Sequence, residues 1–166
     1  NKLTEYKSGP VVFNILFSES SNNNGLVDKD FSYSIAKNGQ VILPVAGISH
    51  SAEKGVFELL PIPELFQAVH SIGHTDLELD IDSKFRRIFL YAGLNEARWP
   101  SLALAALFMN RDIIQLPGDH NKMLSAVVHN SWIRDNYVMI PFIGVPGHFK
   151  TFSYSDVLEG KASADE

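Results

Sequence analysis

The longest strongly apolar run in this chain covers only residues 102–109. A bilayer-spanning helix needs about 20 such residues, so the sequence offers none. The other apolar stretches are broken by Pro, Gly, Asn or charged residues. Short runs between turn-forming residues predict a fold of many short elements. Residues 1–7 carry no hydrophobic region of the signal-peptide kind, which gives a cytoplasmic expectation.

Several elements follow from local pattern. Residues 11–17 are β-branched and aromatic, and predict a buried strand. Phe31, Tyr33 and Ile35 alternate with serines, as in a half-buried strand. Asn38-Gly39 suits a tight hairpin turn, with residues 41–46 as the returning strand and Pro44 at an edge or bulge. Residues 56–60 predict a further strand. Pro63 predicts the first turn of a helix with Leu65, Phe66, Val69 and Ile72 on one face, ended by Gly73. Residues 76–92 predict a second hairpin. In it Leu77, Leu79 and Ile81 point inward, while Glu78, Asp80 and Asp82 point outward and face Arg86 and Arg87.

Pro100 predicts the start of a buried helix over residues 102–109. Residues 121–133 fit either a helix or a strand. Residues 138–145 and 149–154 predict the last two strands, separated by Pro146-Gly147. The sum is about seven strands and two or three helices. The expected class is α+β, with a mainly antiparallel sheet built from hairpins. Residues 1–160 are expected to form one domain, with 161–166 as a flexible tail.

Composition limits the chemistry. At 166 residues, 45% hydrophobic and 20% charged, the chain is ordinary globular material. A formal net charge of −5 gives no electrostatic reason to bind nucleic acid. With no cysteine there is no disulfide framework, thiol nucleophile or iron–sulfur site. No phosphate-binding loop and no nucleophile elbow is present, and no cofactor is expected. His70 and His74 stand four residues apart with Asp76 close behind, a spacing that on one helix face could hold zinc or iron. A third ligand would then come from His120, His129 or elsewhere, giving a metal-dependent hydrolase. Asp80, Asp82 and Lys84 have the residue types of a magnesium nuclease, although Asp and Ser at that point also suit a turn. Arg98-Trp99-Pro100 reads as a recognition anchor or as a staple at the start of a buried helix.

Three segments in order carry a family resemblance. They are Val41-Ile42-Leu43-Pro44-Val45-Ala46-Gly47-Ile48-Ser49, then Phe57-Glu58-Leu59-Leu60-Pro61-Ile62-Pro63, then Trp99-Pro100 through the Leu-rich residues 102–107 to Gly118-Asp119-His120. Together they resemble the suppressor-of-fused-like domain family, in a bacterial immunity-type form. The resemblance implies an α+β domain without catalytic residues that binds another protein, such as a basic toxin of a toxin–antitoxin system. On that reading the partner-binding residues are Glu78, Asp80 and Asp82, whose negative charge would steer a basic partner. A structural subunit of a larger assembly is the remaining alternative.

Overall fold

Strand β2 (Val41–Ser49) organises the main unit, and its first five residues are buried. A buried strand must have its backbone groups paired on both edges. Strand β1 (Val11–Val12) pairs with it in parallel, matching Val11 to Val41 and Val12 to Ile42. Strand β4 (Ser71–His74) also runs parallel to it, over Ile42 to Val45. Strand β3 (Val56–Leu59) runs antiparallel to the second half, from Ala46 to Ser49.

Pro44 lies inside this paired strand, not at an edge. The carbonyls of Gln40 and Ile42 accept from Val11 and Phe13, whereas those of Val41 and Val45 accept from His70 and Thr75. Backbone direction alternates along a strand, so the Pro44 nitrogen faces the β1 side. The next rung there would need the N–H that proline lacks, and β1 stops at Val12.

The computed structural model describes residues 2–5, 8–21, 25–49, 55–109 and 130–161. They fall into two compact units, one of Pro10–Ile140 and one of Asn1–Gly9 with Pro141–Glu166. The first unit adds helices α2 (Leu26–Asn38), α3 (Pro63–Ala68) and α4 (Leu102–Phe108) to β1–β4. Its second sheet holds β5 (Glu78–Leu79), β6 (Phe85–Leu94), β7 (Trp99–Pro100) and β8 (Trp132–Met139). Strand β6 is the hub of that sheet, antiparallel to all three others. The second unit contains the one-turn helix α1 (Lys2–Glu5) and α5 (Tyr154–Glu159), whose first turn is capped by Ser153. The fold is α+β, with four antiparallel and two parallel strand pairings among the described residues. No helix among the described residues is long and apolar enough to cross a membrane.

Several local expectations change. Phe31 to Ile35 belong to α2, not to a strand. Phe31 and Ile35 are one helical turn apart, so they share a face that the alternating reading also explains. Asn38-Gly39 ends this helix instead of turning a hairpin: Gly39 takes φ 74° and donates its N–H to the Ile35 carbonyl. Helix α3 begins at Pro63 as expected but stops at Ala68, and Ile72 and Gly73 lie in β4. Pro100 stays extended in β7, and Ser101 caps α4 by accepting from the Leu104 N–H at 3.2 Å. Only Val138 and Met139 of the strand expected over 138–145 lie in β8, and α5 begins within the one expected over 149–154. Residues 110–129 lie outside the described residues, including Gly118-Asp119-His120 and most of the ambiguous stretch 121–133.

The core joins Ile35, Val41, Leu43, Val45, Ile62, Leu65 and Ile72. Phe13, Phe17 and Phe31 close it, with ring centroids 5.3–5.8 Å apart. Gly73 brings β4 against the start of α4. A Cβ there would lie 2.8 Å from the Leu102 Cα and 3.1 Å from the Ser101 carbonyl carbon, both backbone atoms that cannot rotate away. Gly73→Ala should therefore cost about 1–3 kcal/mol in urea denaturation. An unchanged midpoint would contradict this packing.

Candidate functional site

The sequence 76–82 places carboxylates at every second position: Asp76, Glu78, Asp80 and Asp82. Three arginines from β6 and β8 meet them. Arg134 grips Asp76, with Nη2 3.0 Å from Oδ1 and Nε on Oδ2. Glu78 stands opposite Arg87 in the β5–β6 register, and its charge acts on both Arg87 and Arg134. Asp80 accepts from Arg87 and, at 2.9 Å, from Arg86 Nη1. Asp82 takes Arg86 through both oxygens, at 2.8 and 2.6 Å. Acid and base therefore alternate along one strip.

Consecutive residues of a regular strand point to opposite faces, so Arg86 and Arg87 should not share a partner. A bulge explains why they do. Glu78 pairs with Arg87 and Leu79 with Phe85, which leaves Arg86 as an extra residue in β6. The bulge re-aims Arg86 so that both guanidinium groups reach Asp80. Arg87, then Arg86, hold the Asp80 carboxyl below its ordinary pKa, and Arg86 does the same for Asp82.

Phe89 and Tyr137 stand opposite each other in the β6–β8 register, and their rings support the arginines. Arg87 lies 6.0 Å from the Tyr137 ring centroid and Arg134 lies 5.6 Å from that of Phe89. Between Arg134 and Tyr137, buried Asn136 is held at φ 54°, and its N–H bonds the Asp135 side chain at 2.8 Å. Such strained backbone is over-represented at functional sites. An open groove of about 620 Å³ ends the strip, lined by Asp80, Ile81, Asp82, Arg86, Arg87, Tyr137 and Met139.

The expected alternation of 77–82 is present, but its faces are exchanged. Leu77 and Leu79 are about half exposed and Ile81 fully so, while the Asp80 side chain is only 15% exposed. Salt bridging to the arginines, not apolar burial, orients the segment. The expected pairing of the acidic residues with Arg86 and Arg87 is realised at Asp80 and Asp82. Arg134, Tyr137 and Met139 were not singled out from sequence. The polar run Arg134-Asp135-Asn136 between apolar residues 132–133 and 137–140 was the available signal.

The histidine set does not assemble. His70 is exposed before β4, and His74 ends that strand, buried to 2% exposure. Four extended residues put them on the order of 13 Å apart, not on one helix face. His74 Nδ1 accepts the Asp76 N–H at 3.2 Å, and Asp76 is committed to Arg134. No group of three His, Cys, Asp or Glu among the described residues is placed to hold a metal, and His120 and His129 lie outside them. The Arg98-Trp99 segment acts as a staple. The Trp99 indole N–H donates to Glu58 Oε1 at 3.0 Å, the Leu94 N–H donates to the same oxygen at 2.9 Å, and Arg98 pairs with Oε2. Burial of this carboxylate to 7% exposure raises its pKa, but these donors outweigh it and hold the value below normal.

Burial pushes the His74 pKa from 6.5 to about 4, against the charge of Asp76, which favours the proton. The unfolded chain then takes up a proton near pH 6.5 that the folded chain refuses until near pH 4. Stability should fall as pH drops across that window, by at most about 3.5 kcal/mol at about 1.4 kcal/mol per pKa unit. Urea midpoints at pH 7 and 4.5 check this: His74→Asn should flatten the dependence. Equal pH dependence in both proteins would contradict it.

No curated protein and no solved structure matches the sequence. Among protein families, the CHASE2 domain matches residues 1–166. CHASE2 domains are sensory domains that bind small ligands and are typically extracellular or periplasmic. This overturns the suppressor-of-fused-like resemblance, whose segments are short strand–turn and Trp-Pro patterns that the fold uses for packing. It also replaces the immunity-type, toxin–antitoxin reading, the hydrolase and structural-subunit alternatives, and the cytoplasmic expectation. The chain belongs to the CHASE2 domain family.

Proposed function

We propose that this chain is a sensory domain that binds a small ligand outside the cytoplasm, in the groove at the end of the charged strip. Family membership supports the sensory class. The observation that carries the site is the bulge that turns Arg86 and Arg87 toward one groove lined by both charged and apolar side chains. Ligand sites combine apolar surface with a few placed polar groups, and this groove has both. Glu78, Asp80 and Asp82 belong to the site as partners of its arginines. A ligand that re-pairs those arginines favours one arrangement of the β5–β6 hairpin over another, and that differential affinity is the signal.

Binding is tested by screening a panel of small metabolites and ions for a thermal shift of the purified chain. A ligand from the panel should raise the melting temperature of the wild type and fail to do so in Arg87→Ala. A ligand that stabilises both proteins equally would place the site elsewhere. The absence of any stabilising compound would contradict the reading.

A further inference from the structure

The two carboxylates that hold Arg86 are unequal. Asp80 is 15% exposed and also carries Arg87. Asp82 is 44% exposed and sits in the turn between β5 and β6. Backbone bonds close that turn, from Ser83 N to Asp80 O at 2.8 Å and from Asp80 N to Lys84 O at 2.9 Å. The Asp82 side chain presents both oxygens to Arg86 Nη1 and Nη2, the fork geometry in which a guanidinium binds any carboxylate. Beside this fork lie Ile81, Tyr137 and Met139, and Ile81 and Met139 are largely exposed.

We propose that Asp82 stands in for the carboxylate of a small organic acid with an apolar body, which displaces it from Arg86 and rests along Ile81, Tyr137 and Met139. This deepens the ligand-binding reading above and rests on it. The exchange replaces one bidentate pair by another, so the Arg86 charge is never left bare. Asp82 is near enough to solvent to hydrate once released, and Asp80 keeps both arginines in place. The apolar body supplies the gain that the internal carboxylate lacks. Asp82 is a tethered competitor, and it lowers the apparent affinity by the fraction of time it occupies the fork.

Isothermal titration of the purified chain with benzoate and with isovalerate tests this directly. Both acids should bind the wild type. Asp82→Asn should bind them roughly two- to fivefold more tightly, the range set by an exposed ion pair. Arg86→Lys keeps the charge but loses the fork and should weaken binding at least about tenfold. Benzamide, which lacks the charge, and inorganic phosphate, which lacks the apolar body, should bind more weakly than benzoate. Unchanged near-ultraviolet circular dichroism establishes that each variant is folded. Failure of both acids to bind Asp82→Asn, or equal affinity of Asp82→Asn and wild type, overturns the proposal, as does tight binding by Arg86→Lys. If the acids fail while another compound stabilises the chain through Arg87, the ligand-binding reading stands and the assignment of Asp82 falls.

Discussion

The buried first half of β2 is the constraint on which the rest of the main unit depends. Val41 to Val45 are removed from water, so their backbone groups need partners on both edges. Strands β1 and β4 supply them, and how far each runs along the buried half is set by one residue. Pro44 cannot donate, so parallel pairing with β1 ends beneath it and β3 pairs with the strand from Ala46 onward. On the β4 side the ladder continues to Val45, which delivers His74 to the junction with Ser101 at the start of α4. Chain geometry from that point places Asp76 beside Arg134 and starts the charged strip.

The strip depends on electrostatics where the core depends on burial. A two-residue strand such as β5 cannot hold its register by backbone bonds alone. Its neighbours are fixed by carboxylate–guanidinium pairs to Arg134, Arg87 and Arg86. Such pairs contribute little to stability when half exposed, but they set geometry and give polar specificity. The bulge at Arg86 converts what would be two faces of a strand into one convergent site. The same segment turns Leu77, Leu79 and Ile81 outward, a reversal that alternation alone cannot reveal because period two is blind to which face is inside.

That blindness accounts for much of what was and was not legible in the sequence. The α+β class, strand 56–59, the start of α3 at Pro63 and the 76–92 hairpin were readable from short apolar runs and turn residues. So was the opposition of acidic residues to Arg86 and Arg87. Phe31 to Ile35 was misread because two aromatic or aliphatic residues four apart satisfy helix and strand periodicity equally. Asn38-Gly39 is compatible with either a hairpin or a helix cap, since both require positive φ. The His70–His74 spacing meant a shared face only if a helix continued, and it ends at Ala68. Arg134 and Tyr137 belong to the site through pairing of β8 with β6, a contact across more than forty residues that no local pattern encodes.

If Arg86 and Arg87 read small ligands, side-chain nuclear magnetic resonance will report it at those two residues. The Nε–Hε signals of the arginines can be followed while a stabilising small molecule is titrated in. Arg86 and Arg87 should shift in a saturable manner while Arg98, held by Glu58, stays fixed. Shifts confined to Arg98, or saturation with no change at Arg86 and Arg87, would contradict it.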